Sequence, residues 1–521
     1  MYATRVLAID KFGAFLDQSF FSVAGMDSGS QPPLVIWIGY LFTLVFGHHE
    51  WVLKLVPFIF GILSVIVLYK TGLELFDRKS AILSVIIFSS NLVFSIYIKR
   101  FQLDIPVTFF IITSFLFFIK YYKNPETKYL IYSGICLGLS SITKALVGVL
   151  IPVVISAFFV LMYFKDGNKF DKKIFIKSVI VILLTSLIIS LPWHIYMYMT
   201  HGNSFTDYLF GFHIFQRAIE GVDDNTKPSG VFYYIKFLLT IFPYSVLIFY
   251  FLFVDLKQLK KIHFSRILLW VWFLLVLVVV SLFKTKLESY SLLFLPAFSL
   301  LLSYFIVNHE PSQKEKPVLI LLVLINLVWF FMDEFRNKFV NEIRYLFENN
   351  PATLIIYFVI FVAVLVALYF IINKLYRNRD VRNDLKYLLV IIFVVNNVFL
   401  LINPPLFESS FKLSDIKEQI NKSGDKNFTY VSPQYKYNPQ LSYYFEGVDL
   451  GWQGDYNWKL IELKNNISNT KQEILNTGNK FIIVEKDNIN RGQYIESEKF
   501  IPGNYKLVIK NHGYELWELL Y

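Results

Sequence analysis

Charged residues and cysteines are scarce in this sequence. Only 17% of its 521 residues are charged, whereas a soluble protein carries about a quarter. Cys136 is the single cysteine, so an internal disulfide framework is excluded. The chain also lacks a phosphate-loop signature, a dinucleotide fingerprint and the kinase motif set, which argues against nucleotide-driven chemistry. We find no signal peptide with a basic start, a short apolar core and a small-residue cleavage site.

Apolar residues are abundant instead: 55% of the chain is hydrophobic and the mean hydropathy is +0.50. They fall in blocks long enough to cross a bilayer, whose core of about 30 Å requires roughly 20 apolar residues per helix. The net charge of +11 would suggest nucleic acid as the partner of a soluble protein. In a membrane protein it indicates Lys- and Arg-rich cytoplasmic loops. We therefore expect membrane lipids, and no nucleic acid, as partners.

The hydropathy pattern predicts a mainly α polytopic membrane protein of about 12 transmembrane helices. The predicted spans are 51–70, 80–98, 103–121, 130–145, 147–164, 176–199, 231–253, 266–283, 288–307, 317–333, 351–373 and 385–403. Leu34–Phe46 is too short to span and is interpreted as an interfacial or re-entrant helix. Every second loop is rich in Lys and Arg, namely 78–79, 120–128, 165–177, 257–266, 314–316 and 374–382. Such loops belong in the cytoplasm, so the alternate loops and everything after Pro404 should face out.

The composition becomes polar from Glu408 onward and predicts a small α/β domain. Short β-like runs and helix-like segments follow one another, the former at 428–431, 480–485 and 505–509, the latter at 413–421 and 458–475. We therefore divide the chain into three parts. These are a first extracytoplasmic loop with its interfacial helix (1–50), a multi-helix transmembrane domain (51–404) and a soluble extracytoplasmic α/β domain (405–521).

Ionisable residues at membrane depth are costly and therefore mark candidate functional sites. In one short outer turn, Lys99 and Arg100 lie close to Asp104. This group is interpreted as a phosphate site beside an acid that binds sugar or metal. The alternative is a pair of cations that snorkel to the interface beside a helix-capping aspartate. Lys144, on the same side, is either a contact for an anionic ligand or an interface anchor.

Two further groups lie in predicted outer loops. His213 and Arg217 are four residues apart and share one face of a helix. Histidine can bind metal or move a proton, and arginine can hold phosphate with two hydrogen bonds, although a lone histidine is more often structural. In a tight turn, Lys284, Lys286 and Tyr290 could clamp a phosphate. The alternative is a charged hairpin with an interface tyrosine.

The first loop contributes Asp27 and Gln31, just before a diproline that fixes an extended entry into the membrane. All of these groups lie on the predicted outer side, and most are basic. A site with many phosphate-binding donors at bilayer depth suits a lipid-linked phosphate. A donor already loaded on a lipid would also explain why nucleotide motifs are missing.

Several short motifs, taken in order, resemble those of one family. They are Gln31-Pro-Pro-Leu34, Arg100-x-x-x-Asp104, Thr143-Lys144, Leu191-Pro-Trp193, His213-x-x-x-Arg217 and Lys286-Leu-x-x-Tyr290 ahead of Pro296. Over roughly its first 300 residues the chain resembles the GT-C polytopic glycosyltransferases of the protein O-mannosyltransferase and lipid A aminoarabinose transferase type. The C-terminal domain is consistent with bacterial members.

The resemblance implies a polyprenyl-phosphate sugar donor and inverting transfer at the outer face of the bacterial inner membrane. The acceptor would be a hydroxyl or phosphate on a lipid, glycan or protein, and a carboxylate would serve as base. By the same match, four residues would face the phosphates, namely Lys144, Arg217, Lys286 and Tyr290. His213 would contact a divalent metal, and Asp104 would take the acidic position of the second outer loop.

The chain departs from the family in two places. The family begins with a further transmembrane helix and an Asp-Glu pair that supplies the main acid, whereas this sequence starts at Met1 with what resembles the segment just after that pair. Related sequences also often have Glu-Lys where Ser30-Gln31 stands here. Asp27 is then a candidate substitute acid in the first loop. Two alternative functions stay open: a transporter or flippase of lipid-linked sugars, and an inactive membrane scaffold.

Overall fold

The structure is a computed structural model of the chain. It describes residues 1–23, 25–144, 147–166, 171–221, 232–235, 238, 245–332, 413–432, 438–463, 467–485, 497–511 and 513–520. Contacts divide the chain into two units. The first comprises Met1–Gln31, Ile36–Gly47 and Pro405–Tyr521, and the second comprises Pro32–Val35 and His48–Pro404. The boundaries that the sequence predicts at 50 and 404 stay a prediction.

The second unit is built of apolar helices. Its α-helices are Glu50–Leu75, Arg78–Ser89, Leu92–Tyr97, Asp104–Lys123, Thr127–Ser141, Leu150–Asp166, Lys172–His201, Asn203–Thr206, Leu247–Lys257, Phe264–Leu282, Leu295–Asn308 and Glu315–Met332. Shorter 3₁₀ segments occur at Val147–Val149, Leu259–Lys261 and Glu288–Leu293, and a π-helix at Asp207–Glu220. The mainly α polytopic prediction is confirmed.

Within the described ranges, five helices are long and apolar enough to cross a membrane: Glu50–Leu75, Asp104–Lys123, Val147–Lys165, Lys172–His201 and Phe264–Leu282. The total of about 12 spans stays a prediction, and the predicted spans 351–373 and 385–403 lie outside the described residues.

The predicted span 80–98 is wrong as a single helix, because the chain breaks at Ser90 and Asn91. The Asn91 side-chain oxygen accepts a hydrogen bond from the Phe94 amide at 3.0 Å, which caps the second helix. Hydropathy does not distinguish the two arrangements, since the residues on both sides of the break are apolar.

Small residues let the helices of this unit approach closely. A Cβ added at Gly138 would lie 2.9 Å from the Ser186 carbonyl oxygen of the helix Lys172–His201. The Ser114 and Ser133 hydroxyls, on neighbouring helices, are 2.8 Å apart. Such close packing and hydrogen bonding hold helices together where lipid removes the hydrophobic driving force.

Several Lys- and Arg-rich loops, which the sequence predicts to lie in the cytoplasm, lie at one end of this unit. Lys120 and Lys123 lie 3.8 and 3.5 Å from the Glu74 carboxylate. Lys165 donates to the Ile262 carbonyl at 2.7 Å. Asp104 begins the helix that Lys123 ends, and a helix of 20 residues is about 30 Å long. Asp104 therefore lies at the opposite end of the unit from these basic loops.

The first unit contains a five-stranded sheet in the order β2-β1-β3-β5-β4. Its strands are β1 (Asn427–Ser432), β2 (Asn457–Glu462), β3 (Phe481–Glu485), β4 (Tyr505–Lys510) and β5 (Tyr514–Leu519). Strand β1 runs parallel to β2 and β3, whereas β5 is antiparallel to β3 and β4. Helices of this region are Ser414–Ser423, Pro439–Tyr444 and Ile467–Thr477, with 3₁₀ turns at Val448–Leu450 and Ser497–Lys499. The predicted α/β domain is thus confirmed.

The predicted helix at 458–475 is wrong in its first half. Residues Asn457–Glu462 form β2, which pairs with β1 along its full length, and the helix begins only at Ile467. Pairing with a strand distant in sequence outweighs the local preference here.

The N-terminal segment belongs to the same unit. It forms the helices Tyr2–Phe12 and Met26–Gly29 and most of Leu34–Phe46. Lys11 forms an ion pair with Glu446 of the C-terminal region. The Phe12 ring meets the Trp452 ring edge-on at 5.2 Å.

Candidate functional site

An ion pair between two predicted site residues lies at one end of the second unit. The Lys144 ammonium is 2.7 Å from the Asp104 carboxylate, and both side chains are largely buried. Asp104 stands in the first turn of its helix, where Leu103 is the cap and no side chain caps the backbone. The carboxylate is thus engaged by Lys144, not by the helix end. The Lys144 ammonium also lies 5.6 Å from the centre of the Tyr290 ring, so three separate sequence motifs meet here.

Tyr97 borders this ion pair. The Arg100 guanidinium lies over its ring at 5.5 Å, and Asp104 and Glu288 are among the charges that act on its hydroxyl. The 3₁₀ turn Glu288–Leu293 packs against the helix that ends at Tyr97 and against the helix that begins at Asp104. We name the group of Tyr97, Arg100, Asp104, Lys144, Glu288 and Tyr290 the outer-turn cluster.

A backbone pairing joins the two remaining predicted groups. The Thr285 amide donates to the Arg217 carbonyl at 2.9 Å, and the Lys284 amide donates to the Ala218 carbonyl at 3.0 Å. Arg217 and Lys284 are therefore neighbours through their main chains. Arg217 Nε is buried and has no hydrogen-bond partner among the described residues, so one nitrogen of the guanidinium retains an unused donor.

Lys286 is buried, with 8% of its surface exposed, whereas Lys284 is exposed. Its ammonium donates to the carbonyls of Ser281, at 2.5 Å, and Phe283. These carbonyls lie at the end of the helix Phe264–Leu282, where backbone acceptors lack helical partners. Burial lowers the pKa of Lys286. The ammonium also lies 5.9 Å from the Tyr234 ring centre.

Lys99 is next to a cluster residue in the sequence, and the diproline motif is connected to the cluster by a backbone hydrogen bond. Lys99 immediately precedes Arg100 in the turn after the helix Leu92–Tyr97 and is half-buried. The Leu34 amide donates to the Ile142 carbonyl at 3.1 Å. This bond connects the diproline segment with the turn that carries Lys144.

Asp27 and Gln31 belong to the first unit, in a loop organised by Arg5. The Arg5 guanidinium is fully buried. It donates to the Ser28 carbonyl at 2.9 Å, and to the Gln18 side chain and the Gln31 carbonyl, both at 2.8 Å. Asp27 lies in the short helix between these contacts. Arg5 thus fixes the backbone just after Asp27 and holds the Gln18 side chain.

The described residues do not offer a metal site made by the protein alone. Among them, no three His, Cys, Asp or Glu side chains lie together in a group that could hold a metal ion. His213 is half-buried in the π-helix Asp207–Glu220. We therefore derive no reaction step through a metal, and the metal-contacting role of His213 stays a prediction.

The outer-turn cluster combines two positive charges with two carboxylates. Arg100 and Lys144 supply positive charge for a leaving phosphate, and such fixed charge lowers the barrier to its departure. Asp104 supplies a carboxylate able to take a proton from an attacking hydroxyl. Glu288 is an exposed second carboxylate at the same place.

Sequence reasoning missed the tyrosines of this region. Tyr97, Tyr233 and Tyr234 lie inside or beside apolar runs and count only as hydrophobic residues in a hydropathy profile. The Tyr234 hydroxyl donates to the Leu287 carbonyl at 2.8 Å, in the turn that carries Tyr290. A tyrosine at the end of an apolar run next to charged turn residues is the signal that could have indicated them.

Comparison with known proteins finds one family model and two similar sequences. Residues 30–201 match the family model of dolichyl-phosphate-mannose-protein mannosyltransferases. Two uncharacterized proteins of Aquifex aeolicus (strain VF5) are similar in sequence. One is 24% identical over 328 residues, which cover 63% of this chain and 62% of the relative. The other is 26% identical over 332 residues, which cover 63% of this chain and 72% of the relative. The matched region thus spans less than two thirds of the first relative's length.

The fold is similar to that of a solved structure. The crystal structure of ArnT from Cupriavidus metallidurans bound to undecaprenyl phosphate matches with a TM-score of 0.67 and 14% identity, over 99% of this chain and 92% of that chain. The apo structure of the same protein matches equally well. At this identity the likeness concerns the fold alone. The predicted resemblance to GT-C glycosyltransferases is confirmed, and the chain is a membrane protein with this fold.

Proposed function

We propose that this protein is a glycosyltransferase that moves a sugar from a polyprenyl-phosphate carrier to an acceptor hydroxyl or phosphate on a lipid, glycan or protein. The observation that carries the proposal is the outer-turn cluster, in which the Asp104–Lys144 pair meets Tyr290. The match of residues 30–201 to a family that uses dolichyl-phosphate-mannose supports the donor class. The ArnT structure, which binds undecaprenyl phosphate, supports it through the shared fold.

In the proposed reaction, Asp104 takes the proton of the acceptor hydroxyl. At the same time, the hydroxyl oxygen bonds to the anomeric carbon of the sugar. The bond between that carbon and the phosphate oxygen breaks, and polyprenyl phosphate leaves with the electron pair. Lys144 and Arg100 stabilise the charge that develops on the phosphate. Tyr290, Arg217 and Lys286 line the same region.

The remaining predicted residues have supporting roles in this proposal. Lys99 and Lys284 extend the phosphate-binding surface, whereas the roles of Gln31 and Asp27 stay predictions from the sequence. Lys286 would act in part through the helix end that it caps, because its ammonium is engaged by backbone carbonyls.

The experiment is sugar transfer in liposomes containing the purified chain, a panel of radiolabelled polyprenyl-phosphate sugars and cell-envelope acceptors. We expect label to leave the carrier and polyprenyl phosphate to accumulate. Replacing Asp104 by Asn removes the base and should lower kcat by about 10²-fold or more. Glu74→Gln is the matched control, because Glu74 also pairs with lysines but at the other end of the unit.

The proposal fails if label stays on the carrier with every donor, or if Asp104→Asn and Glu74→Gln behave alike. Donor that crosses the bilayer uncleaved would favour the transporter alternative instead.

We also propose that the protein lies in the bacterial inner membrane with its α/β domain outside. Cys136 is buried, so labelling of single introduced cysteines has little background. In sealed right-side-out vesicles, an impermeant maleimide should label Lys422→Cys and spare Lys173→Cys. Both positions are exposed, and the reverse labelling pattern would show the opposite orientation.

A further inference from the structure

The parallel part of the sheet has a reversal of strand order between β1 and β3. The chain passes from β1 to β2 through the helix Pro439–Tyr444, whose Leu441 packs in the core of one face. It returns from β2 to β3 through the helix Ile467–Thr477, whose Ile474 packs in the core of the other face. Because β1 lies between β2 and β3, the two crossovers cover opposite faces of the sheet, and the order of the strands reverses at β1 and β3. Open parallel sheets bind ligands at such points.

A polar cluster occupies this edge of the sheet. Glu485, the last residue of β3, accepts hydrogen bonds at Oε2 from the Tyr430 and Ser432 hydroxyls of β1, both at 2.7 Å. The Asn438 side-chain amide donates to the Tyr430 hydroxyl at 2.6 Å and to the Tyr514 hydroxyl at 2.9 Å. Residues of three strands and one loop thus belong to one hydrogen-bonded group.

Glu485 is the member of this group that reaches the surface. The other four side chains are at most 7% exposed, whereas Glu485 is half-buried. Its Oε1 accepts no hydrogen bond from the described residues. Burial raises the pKa of Tyr430 and of Tyr514, so both hydroxyls keep their protons at neutral pH. The carboxylate is therefore held by two fixed donors on one oxygen and retains a second oxygen for a ligand.

The chemistry of the cluster restricts the ligand. A carboxylate acceptor requires a hydrogen-bond donor and repels phosphate and other anions. Among the residues that the structure describes, the groups that hydrogen-bond to the Glu485 carboxylate are neutral hydroxyls. This combination matches the hydroxyls of a sugar, whereas a cation would call for further negative charge.

We propose that the α/β domain binds a carbohydrate at the carboxyl ends of β1 and β3, with Glu485 accepting hydrogen bonds from sugar hydroxyls. This inference rests on the proposed function, since it names the acceptor class as a glycan that the domain holds for transfer.

The test is binding of a panel of methyl glycosides (mannose, glucose, galactose and arabinose) to the full chain in lipid nanodiscs, followed by saturation-transfer NMR. We expect at least one glycoside to bind at concentrations on the order of 1–100 mM, and Glu485→Gln to weaken it about tenfold, as loss of one charged hydrogen bond implies. Glu462→Gln is the control, because Glu462 ends the neighbouring parallel strand and is exposed. It should change the affinity by less than about twofold. Hydrogen exchange of β1 verifies that both variants remain folded.

Three results would overturn the inference. They are no binding of any glycoside, equal affinities of Glu485→Gln and Glu462→Gln, and displacement of the sugar by ethanolamine, which would identify an amine site. With an active transferase, Glu485→Gln should raise the KM for a glycan acceptor and leave kcat unchanged.

Asp104→Asn separates this inference from the proposed function, because it should abolish transfer and leave glycoside binding intact. Transfer without Glu485-dependent binding would refute only the carbohydrate site. Binding without transfer would refute only the transferase.

Discussion

Arg5 should determine whether the first loop holds its structure. Replacing Arg5 by Met keeps the length of the side chain and removes all three hydrogen bonds to Ser28, Gln18 and Gln31. Each hydrogen bond from a charged group contributes about 1.5–3 kcal/mol. The cost of burying the guanidinium offsets part of this sum, so we expect a net loss of about 3–5 kcal/mol, as when other buried charged networks are broken. Burial lowers the pKa of Arg5 only to about 10, so the residue is charged at neutral pH.

Hydrogen exchange of residues 13–31 in nanodiscs measures this loss directly. A local destabilisation of about 3–5 kcal/mol lowers amide protection by roughly 10² to 10³·⁵-fold. Lys11→Met is the control, because its partly exposed ion pair with Glu446 should contribute less than about 1 kcal/mol. Protection in Arg5→Met within about fivefold of that in Lys11→Met would refute the reasoning.

Two further predictions concern the same unit. Burial raises the pKa of Glu446, but hydrogen bonds and charge from Lys11 and Lys417 outweigh this effect and hold the pKa below its usual range. The ionised form therefore stabilises the fold above pH 4.5 and this contribution is lost as the pH falls below it, so the difference in Tm between wild type and Glu446→Gln should shrink on acidification. A Cβ at Gly447 would lie 2.1 Å from the Trp452 ring, whereas Gly451, with a similar positive φ, has nothing within 4 Å. Measured by hydrogen exchange, Gly451→Ala should lower the free energy of unfolding by about 1–2 kcal/mol. Gly447→Ala should lower it by about 1–3 kcal/mol more, because the added Cβ collides with the ring. Equal losses in the two variants would contradict this prediction.

Hydropathy and loop charge predicted the helical architecture because both depend on residues close together in sequence. The helix Asp104–Lys123 lies within two residues of its predicted bounds. The contact between Asp104 and Lys144 was beyond such reasoning, since 40 residues separate them. Each residue could be identified as unusual, but only the packing of two helices shows that they form one ion pair.

Local geometry accounts for another part of what the sequence did not predict. His213 and Arg217 were expected to share a face at the α-helical spacing of four. The segment Asp207–Glu220 is a π-helix, in which hydrogen bonds connect residues five apart. Accordingly, the Arg217 guanidinium lies 5.4 Å from the ring of Phe212, five residues earlier. Periodicity alone does not distinguish one helix type from the other over so short a segment.

The N-terminal helix and the C-terminal α/β region share one compact unit, although the whole second unit lies between them in the chain. Lys11 and Glu446 are 435 residues apart in the chain, so synthesis of the segment between them takes roughly 20–90 s at ~5–20 residues per second. For that time Phe12 and Lys11 have neither Trp452 nor Glu446 to contact. The first residues to be made are thus among the last to reach their final environment. Factors that shield the nascent first loop should therefore affect the yield of folded protein more than factors that act on single transmembrane helices.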